Sequence, residues 1–385
     1  MKMKRIIIAS AILLMIVALG FIIRLRLTAR MFDNLNQEME YLVSELVEND
    51  KTVMNCVLSV MMGNGSFSWS GAAGIASQDG QVPMTKDTPI YIASITKLYT
   101  ATAIMRLYEK GAISLNDPMS RYLPEELIQG IHVYQGKDYS HEITIQELLS
   151  HTSGIADYYS EKPKGGKSLF ESFLEKPERP WTVDETIERA RNDLEPNFPP
   201  GTDASYSDTN FQLLGKVIEA VTGKPLHLVY EDFFFHPLGL KHTWLVGRSE
   251  PQFTLAGAPA DVFYHGRNIT NIRSNGSYWA DGGIVSTAEE GIIFLKALNE
   301  GRIVREGTLK LMHNWHELEF PFQYGYGTMY FKPASLWGHS GSTGSFLYYS
   351  EGLNLYMAGS INQTESKSTP FTLMIKVMQV IQSKM

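Results

Sequence analysis

Ser94 and Lys97 stand three residues apart at the head of an apolar helical pattern. That spacing is just under one helical turn, so both side chains share a face. A serine hydroxyl is a weak nucleophile until a neighbouring base takes its proton, and a desolvated lysine at this spacing can do so. A lysine in the first helical turn also meets the positive end of the helix dipole, a placement that lowers its pKa. The pair is a candidate nucleophile and base. The alternative is a serine cap followed by a solvated lysine, and the rest of the chain has to decide between them.

Other reactive residue types carry less. Cys56 is the only cysteine, which excludes an intrachain disulfide and a cysteine-rich metal site. Its setting, Val53 to Leu58, reads as a strand in which it packs as a small hydrophobe. His313 and His316 form the one close histidine pair and lack a nearby carboxylate set, so no metal is expected there. Gly166-Lys167-Ser168 mimics the end of a phosphate-binding loop, but Glu161 occupies the place where such a loop needs glycine.

Stepping outward from Lys97, Leu98, Ala101, Met105 and Tyr108 recur at helical spacing until Gly111, which predicts a helix burying one side. Residues 31–50 carry a helical trace at Met39, Leu42, Leu46 and Val47 and read as a stalk or a first helix. Val53 to Met62 and Ser66 to Ile75, separated by Gly63-Asn64-Gly65, read as a hairpin. Ile143 to Ser150 predicts a short helix, and residues 160–200 a polar, partly helical lobe. Phe211, Leu214, Ile218 and Val221 mark a helix ended by Gly223. A glycine-rich turn and strand over Ala280 to Thr287 leads into a helix reaching about Leu298. Tyr324 to Phe331 reads as one strand. Ser345 to Tyr349 and Leu353 to Ile361 flank a turn at Glu351-Gly352, and a helix from Thr369 to Ile381 closes the chain. Strands near both ends with a helical middle predict an α/β domain whose sheet is built by the two ends around an inserted helical lobe.

At 385 residues, 44% hydrophobic and 19% charged, the chain can bury one large core or two moderate ones. A net charge of −7, with no long basic run beyond the first thirty residues, excludes nucleic acid as a partner class. Ile6 through Ile23 is an apolar run behind Lys2, Lys4 and Arg5, long enough to cross a bilayer. It continues through Phe21-Ile22-Ile23 past the loose cleavage site Ala18-Leu19-Gly20, so an uncleaved anchor is expected over a cleaved signal peptide. The expected organisation is a cytoplasmic segment at 1–5, a transmembrane anchor at 6–23, a juxtamembrane stalk at 24–50 and a catalytic domain at 51–385.

Six short motifs follow in order: Ile92-Ala93-Ser94-Ile95-Thr96-Lys97, Leu148 through Ile155, Pro199-Pro200-Gly201-Thr202, Tyr206-Ser207-Asp208, Asp281 through Thr287, and Gly338-His339-Ser340-Gly341. Together they resemble the serine β-lactamase and penicillin-binding-protein superfamily, in the branch holding class C β-lactamases, D-alanyl-D-alanine carboxypeptidases and related esterases. The resemblance covers about Val53 to Ile361. It implies an α/β, β-lactamase/transpeptidase-like fold: an antiparallel sheet flanked by N- and C-terminal helices, with an inserted, mostly helical lobe.

By the same resemblance, Ser94 is the acylated nucleophile and Lys97 its proton partner. Tyr206 shares acid/base duty and hands a proton to the leaving group, with Lys97 stabilising its phenolate. His339, Ser340 and Gly341 lie on an edge strand beside the nucleophile, where His339 holds a substrate carboxylate. The backbone N–H groups of Ser94 and Ser342 form the oxyanion hole. Asp208 departs from the asparagine common at its place. An amide donates, an ionised carboxylate only accepts, and Asp208 either contacts substrate or caps the helix beginning at Thr209.

The expected protein is a membrane-anchored, extracytoplasmic serine hydrolase working through an acyl-enzyme on D-alanyl amide or ester bonds of cell-wall polymers. No metal or organic cofactor is expected. The alternatives are a general esterase or β-lactamase of the same family, and a catalytically idle penicillin-binding-like sensor of cell-wall fragments. Intact Ser94, Lys97 and Tyr206 argue against the sensor.

Overall fold

The structure, a computed structural model, describes residues 33–253, 257–273 and 277–384. Its centre is a nine-stranded sheet. We label its strands β1 (Asn55–Met62), β2 (Ser68–Ser77), β3 (Val82–Pro83), β4 (His316–Glu317), β5 (Phe322–Tyr324), β6 (Met329–Phe331), β7 (Leu336–Ser340), β8 (Ser345–Ser350) and β9 (Leu355–Ser360). The order is β4-β5-β6-β7-β8-β9-β1-β2-β3, so the last strand of the chain pairs with the first. All of these pairings are antiparallel.

Side chains in a strand alternate between faces, and here the alternation builds two cores. Leu58 and Val60 of β1, Phe346 and Tyr348 of β8 and Met357 of β9 point to one face. There they meet helix α1 (residues 33–49) and the closing helix (Thr369–Lys384) through Leu35, Met39, Val43, Leu373, Met374 and Val377. Val57, Leu347, Tyr356 and Ala358 point to the other face, which packs on the helix Ala288–Asn299 and on α2 (Thr96–Glu109). Between Tyr91 and Ile284 the chain forms the inserted lobe, whose helices include Ile145–Leu149, Leu169–Glu175, Val183–Asp193 and Asp208–Thr222. The α/β architecture with flanking terminal helices matches the expectation. Of the two readings of residues 31–50, the first helix of the domain describes the packing of 33–49.

Three local expectations differ from the structure. Tyr324 to Phe331 is two paired strands, β5 and β6. Gly327, at φ +68°, lies in the turn between them, and a Cβ there would sit 2.1 Å from Ala101. α2 is buried on all sides, with every residue from Thr96 to Met105 inside. It runs through the junction of sheet and lobe, and Thr100 and Thr102 satisfy their hydroxyls on the carbonyls of Ala280 and Leu98. The strand carrying His339 is interior to the sheet, but the β6 register ends at Gly338, so His339 and Ser340 run on past their neighbour on that side.

The expected anchor, residues 6–23, lies outside the described residues. Among the described residues no helix is long and apolar enough to cross a membrane. The membrane-anchored, single-pass reading, with its membrane partner and extracytoplasmic location, therefore finds no support among the described residues.

Candidate active site

Ser94 is held where sheet and lobe meet. Ile90–Tyr91 pairs with Ile284–Ser286, and the chain then turns at Ala93, whose φ of +48° is left-handed. Such a conformation costs a residue other than glycine about 1–3 kcal/mol and persists only where its surroundings impose it. Here they do. The Ile284 N–H donates to Thr96 Oγ1 at 3.0 Å, while Thr343 Oγ1 donates to the Tyr91 carbonyl at 2.7 Å and Ser345 Oγ to that of Ile92 at 2.8 Å. The turn after β7 is thereby tied to the segment entering the nucleophile. Gly341 makes the approach possible, since a Cβ there would lie 2.4 Å from the Ile92 oxygen.

Lys97 is fully buried. It donates to Ser94 Oγ at 3.1 Å and to the Asp281 carbonyl at 2.8 Å, and forms an ion pair with the Asp208 carboxylate. An ammonium has three N–H donors, and each has an acceptor here. Burial pulls its pKa down most strongly, but the charges of Asp208 and then Asp281 outweigh it, and Lys97 is held above its ordinary value. The helix-end argument for a lowered pKa is corrected on this point: a touching counter-ion outweighs partial charges at a helix terminus.

Asp208 is the first residue of its helix, yet its carboxylate caps nothing. The neighbouring cap position, Ser207, turns its hydroxyl to the Ala156 carbonyl at 3.2 Å and makes no capping bond, and the Asp208 N–H donates to Asp157 Oδ1 at 3.0 Å. Asp157 therefore serves the helix end and frees Asp208 to face Lys97. Burial, then the charge of Asp208, pushes the Asp157 carboxyl up to about 7. The same two causes in the same order push Asp281 up to about 6, although Tyr158 donates to its Oδ2 at 2.5 Å.

Tyr206 is half-buried, its ring 4.3 Å from that of His151 and 4.9 Å from Lys97 Nζ. Burial and Asp208 push its pKa well above the usual tyrosine value, with a hydrogen bond to Ser94 pulling the other way. At rest Tyr206 is a phenol, which corrects the expected phenolate. His151 Nδ1 accepts the Ser207 N–H at 3.1 Å and so fixes the backbone between Tyr206 and Asp208. Burial, then Lys97, keeps this imidazole neutral, far below its ordinary pKa.

His339 is also buried and neutral. Its Nδ1–H donates to the Ser340 carbonyl at 2.7 Å, so Nε2 accepts from the Tyr324 hydroxyl at 2.9 Å. Burial, then Lys97, lowers its pKa to about 3. With both nitrogens engaged inside the protein, His339 does not present a cation to a substrate carboxylate, contrary to expectation.

Ser94 lies between two cavities. The larger, about 260 Å³, is lined by Ser94, Tyr206, Ser340, Gly341 and Ser342 among others. The smaller, about 20 Å³, is lined by Ser94, Asp208, Asp281, Ser342, Tyr159 and Tyr278. Of the anticipated residues, all but His339 meet at one or both cavities or at Ser94 itself. Asp157, Tyr158 and Tyr324 were missed, and His151 and Asp281 were noted only as parts of motifs. Nothing local distinguishes Tyr324 from a core tyrosine on a strand. Among the described residues no cluster of His, Cys, Asp and Glu is placed to hold a metal ion.

A family model described as Beta-lactamase matches residues 43–374. The chain belongs to this family. It is therefore placed in the superfamily of serine hydrolases and penicillin-binding proteins that includes β-lactamases and D-alanyl carboxypeptidases. Esterase EstB of Burkholderia gladioli is 28% identical over 204 residues, covering 51% of this chain and 49% of that protein. The D-alanyl-D-alanine-carboxypeptidase/endopeptidase AmpH of Escherichia coli (strain K12) is 31% identical over 157 residues, covering 41% and 37%. The chain thus spans about half the length of the curated relatives it matches, or less. A D-stereospecific amidohydrolase from Streptomyces sp. superposes with a TM-score of 0.72 at 28% identity, covering 89% of this chain and 97% of that one. D-amino acid amidase from Ochrobactrum anthropi SV3 superposes at 0.75 with 24% identity, covering 91% and 99%, a likeness of fold.

Proposed function

We propose that the chain is a serine hydrolase that acylates Ser94 with a small, ammonium-bearing D-amino acyl group, taken from an amide or ester such as a D-alanyl bond. The observation that carries this reading is the contact of Lys97 with both Ser94 Oγ and the Asp208 carboxylate. Asp208 holds Lys97 as an ammonium, which is no base. A substrate ammonium entering the smaller cavity meets Asp208 and competes for its charge. Lys97 then loses the influence that keeps it protonated and releases a proton to solvent.

As a neutral amine, Lys97 takes the Ser94 proton while Oγ attacks the carbonyl carbon. Backbone N–H groups of Ser94 and Ser342 take the developing oxyanion, a contribution worth about 10²–10³ in rate per donor. Tyr206, a phenol, gives its proton to the leaving group and recovers one from Lys97. Water then releases the acyl group. The carboxypeptidase and the D-stereospecific amidohydrolase among the relatives support the choice of D-amino acyl substrates.

The test is intact-mass analysis after exposure to a fluorophosphonate and, separately, a penicillin, joined to turnover of D-alanyl and N-acetyl-D-alanyl esters of one alcohol. Ser94 should be labelled, Ser94→Ala should not, and the free amine should be preferred. Labelling of Ser94→Ala would sink the nucleophile assignment. Equal turnover of the two esters would leave a general esterase.

A further inference from the structure

The larger cavity beside Ser94 has one charged residue in its lining, Lys367. Phe322, Met329, Pro370 and Phe371 make much of the remaining wall apolar. Lys367 is exposed and forms no ion pair among the described residues. The segment bearing it is a fixed wall. The Phe263 N–H donates to the Asn362 carbonyl at 2.9 Å, the Thr364 N–H donates back to Phe263 at 3.0 Å, and Gln363 Nε2 donates to the Thr52 carbonyl. The closing helix starts at Thr369, and its first turn lines the same cavity through Pro370 and Phe371. The positive end of a sixteen-residue helix therefore reinforces the lysine.

The two cavities are also unlike in the catalytic groups they touch. Tyr206 lines the larger and not the smaller, whereas Asp208 lines the smaller and not the larger. A leaving group that receives its proton from Tyr206 departs through the larger cavity, past Lys367. His339, the cation anticipated for a substrate carboxylate, is buried and neutral. We propose that Lys367 recognises an anionic group, a carboxylate or a phosphate, on the leaving-group side of the substrate. This rests on the reading of Ser94 as the acylated nucleophile.

The test measures how far small solutes slow fluorophosphonate labelling of Ser94, with each protein's rate without solute as its own reference. The solutes are D-lactate, glycerol phosphate, inorganic phosphate and glycerol, at fixed ionic strength. In the wild type at least one anion should protect where glycerol does not, and the better of the carboxylate and phosphate names the group. Lys367→Met should weaken protection about tenfold or more, the scale of a charge-assisted hydrogen bond. Lys367→Arg should keep it, and added salt should erode it. Labelling with equal protection in wild type and Lys367→Met, or with glycerol as effective as the anions, would overturn the proposal and leave the hydrolase reading intact. Absence of labelling in the wild type would overturn both.

Discussion

The two flanks of Ser94 solve the problem of burying polar groups in opposite ways. On the lobe flank, Asp208 pairs with one buried cation, Lys97, while Asp157 and Asp281 are pushed up by burial first and by the charge of Asp208 second. On the sheet flank, Tyr324 and His339 are equally buried but form a neutral chain of hydrogen bonds that ends on the Ser340 carbonyl. The same element of physics, desolvation, acts on both. It leaves a charge on the first flank because ions of opposite sign touch there, and removes it from the second because only neutral partners do. In the mechanism proposed above, the charged groups that govern proton transfer therefore lie on the lobe side, beside a sheet side that is neutral at Tyr324 and His339.

The strongest way to break this contrast is to delete the cation. Lys97→Met should abolish acylation and leave the Asp208 carboxylate without its counter-ion. Removing one partner of a buried pair costs about 3–5 kcal/mol, readable as a lowered urea midpoint. A midpoint unchanged from wild type would show that the Asp208 carboxylate had no need of Lys97.

Asp208→Asn should act next most strongly, and on rate. Without its main counter-ion Lys97 is more easily deprotonated, so the acid limb of penicillin acylation moves to lower pH. Each unit of that movement is tenfold in neutral lysine at a fixed pH. The preference for a free amine over an N-acetyl ester should vanish in the same variant. Fluorescent-penicillin acylation followed across pH checks this, and an unmoved profile would remove Asp208 from control of the base.

Stability against pH should separate the flanks by sign. Asp157 is raised on folding to about 7, so its contribution is full below the ordinary carboxylate range and is lost as pH rises towards 7. His339 is lowered to about 3, so its contribution is full above the ordinary imidazole value and is lost as pH falls towards 3. Asp157→Asn should flatten the loss of stability between about pH 4 and 7, and His339→Gln the loss below about pH 6.5. Equilibrium unfolding over that range tests both, and identical slopes in wild type and variants would refute the assignment. The smallest effect belongs to Tyr324→Phe. It removes one neutral hydrogen bond, about 1 kcal/mol by urea unfolding, and should barely alter acylation. A large loss of acylation would move Tyr324 into the reacting set.

The division between what was legible and what was not follows the range of each interaction. Hydrophobic alternation in β1, β8 and β9 and the helical period after Lys97 are local, and they sufficed for a sheet made from both ends of the chain around a helical lobe. The break of Tyr324 to Phe331 into two strands was hidden because strand-like residues flank a short glycine turn. Ser94, Lys97, Tyr206 and Asp208 were found because spacing and motif order place them. Asp157 was not, because its service to the helix at Asp208 joins residues 51 apart in sequence.

By itself, then, the sequence determined which serine and lysine are paired, since three residues on a helix share a face whatever surrounds them. Only the tertiary structure decided which groups are charged. The states of Lys97 and His339 depend on partners brought in from other elements: Asp208 and Asp281 for the lysine, Tyr324 for the histidine. Protonation answers to burial and to charges within a few ångströms, and those distances exist only once the lobe has closed on the sheet.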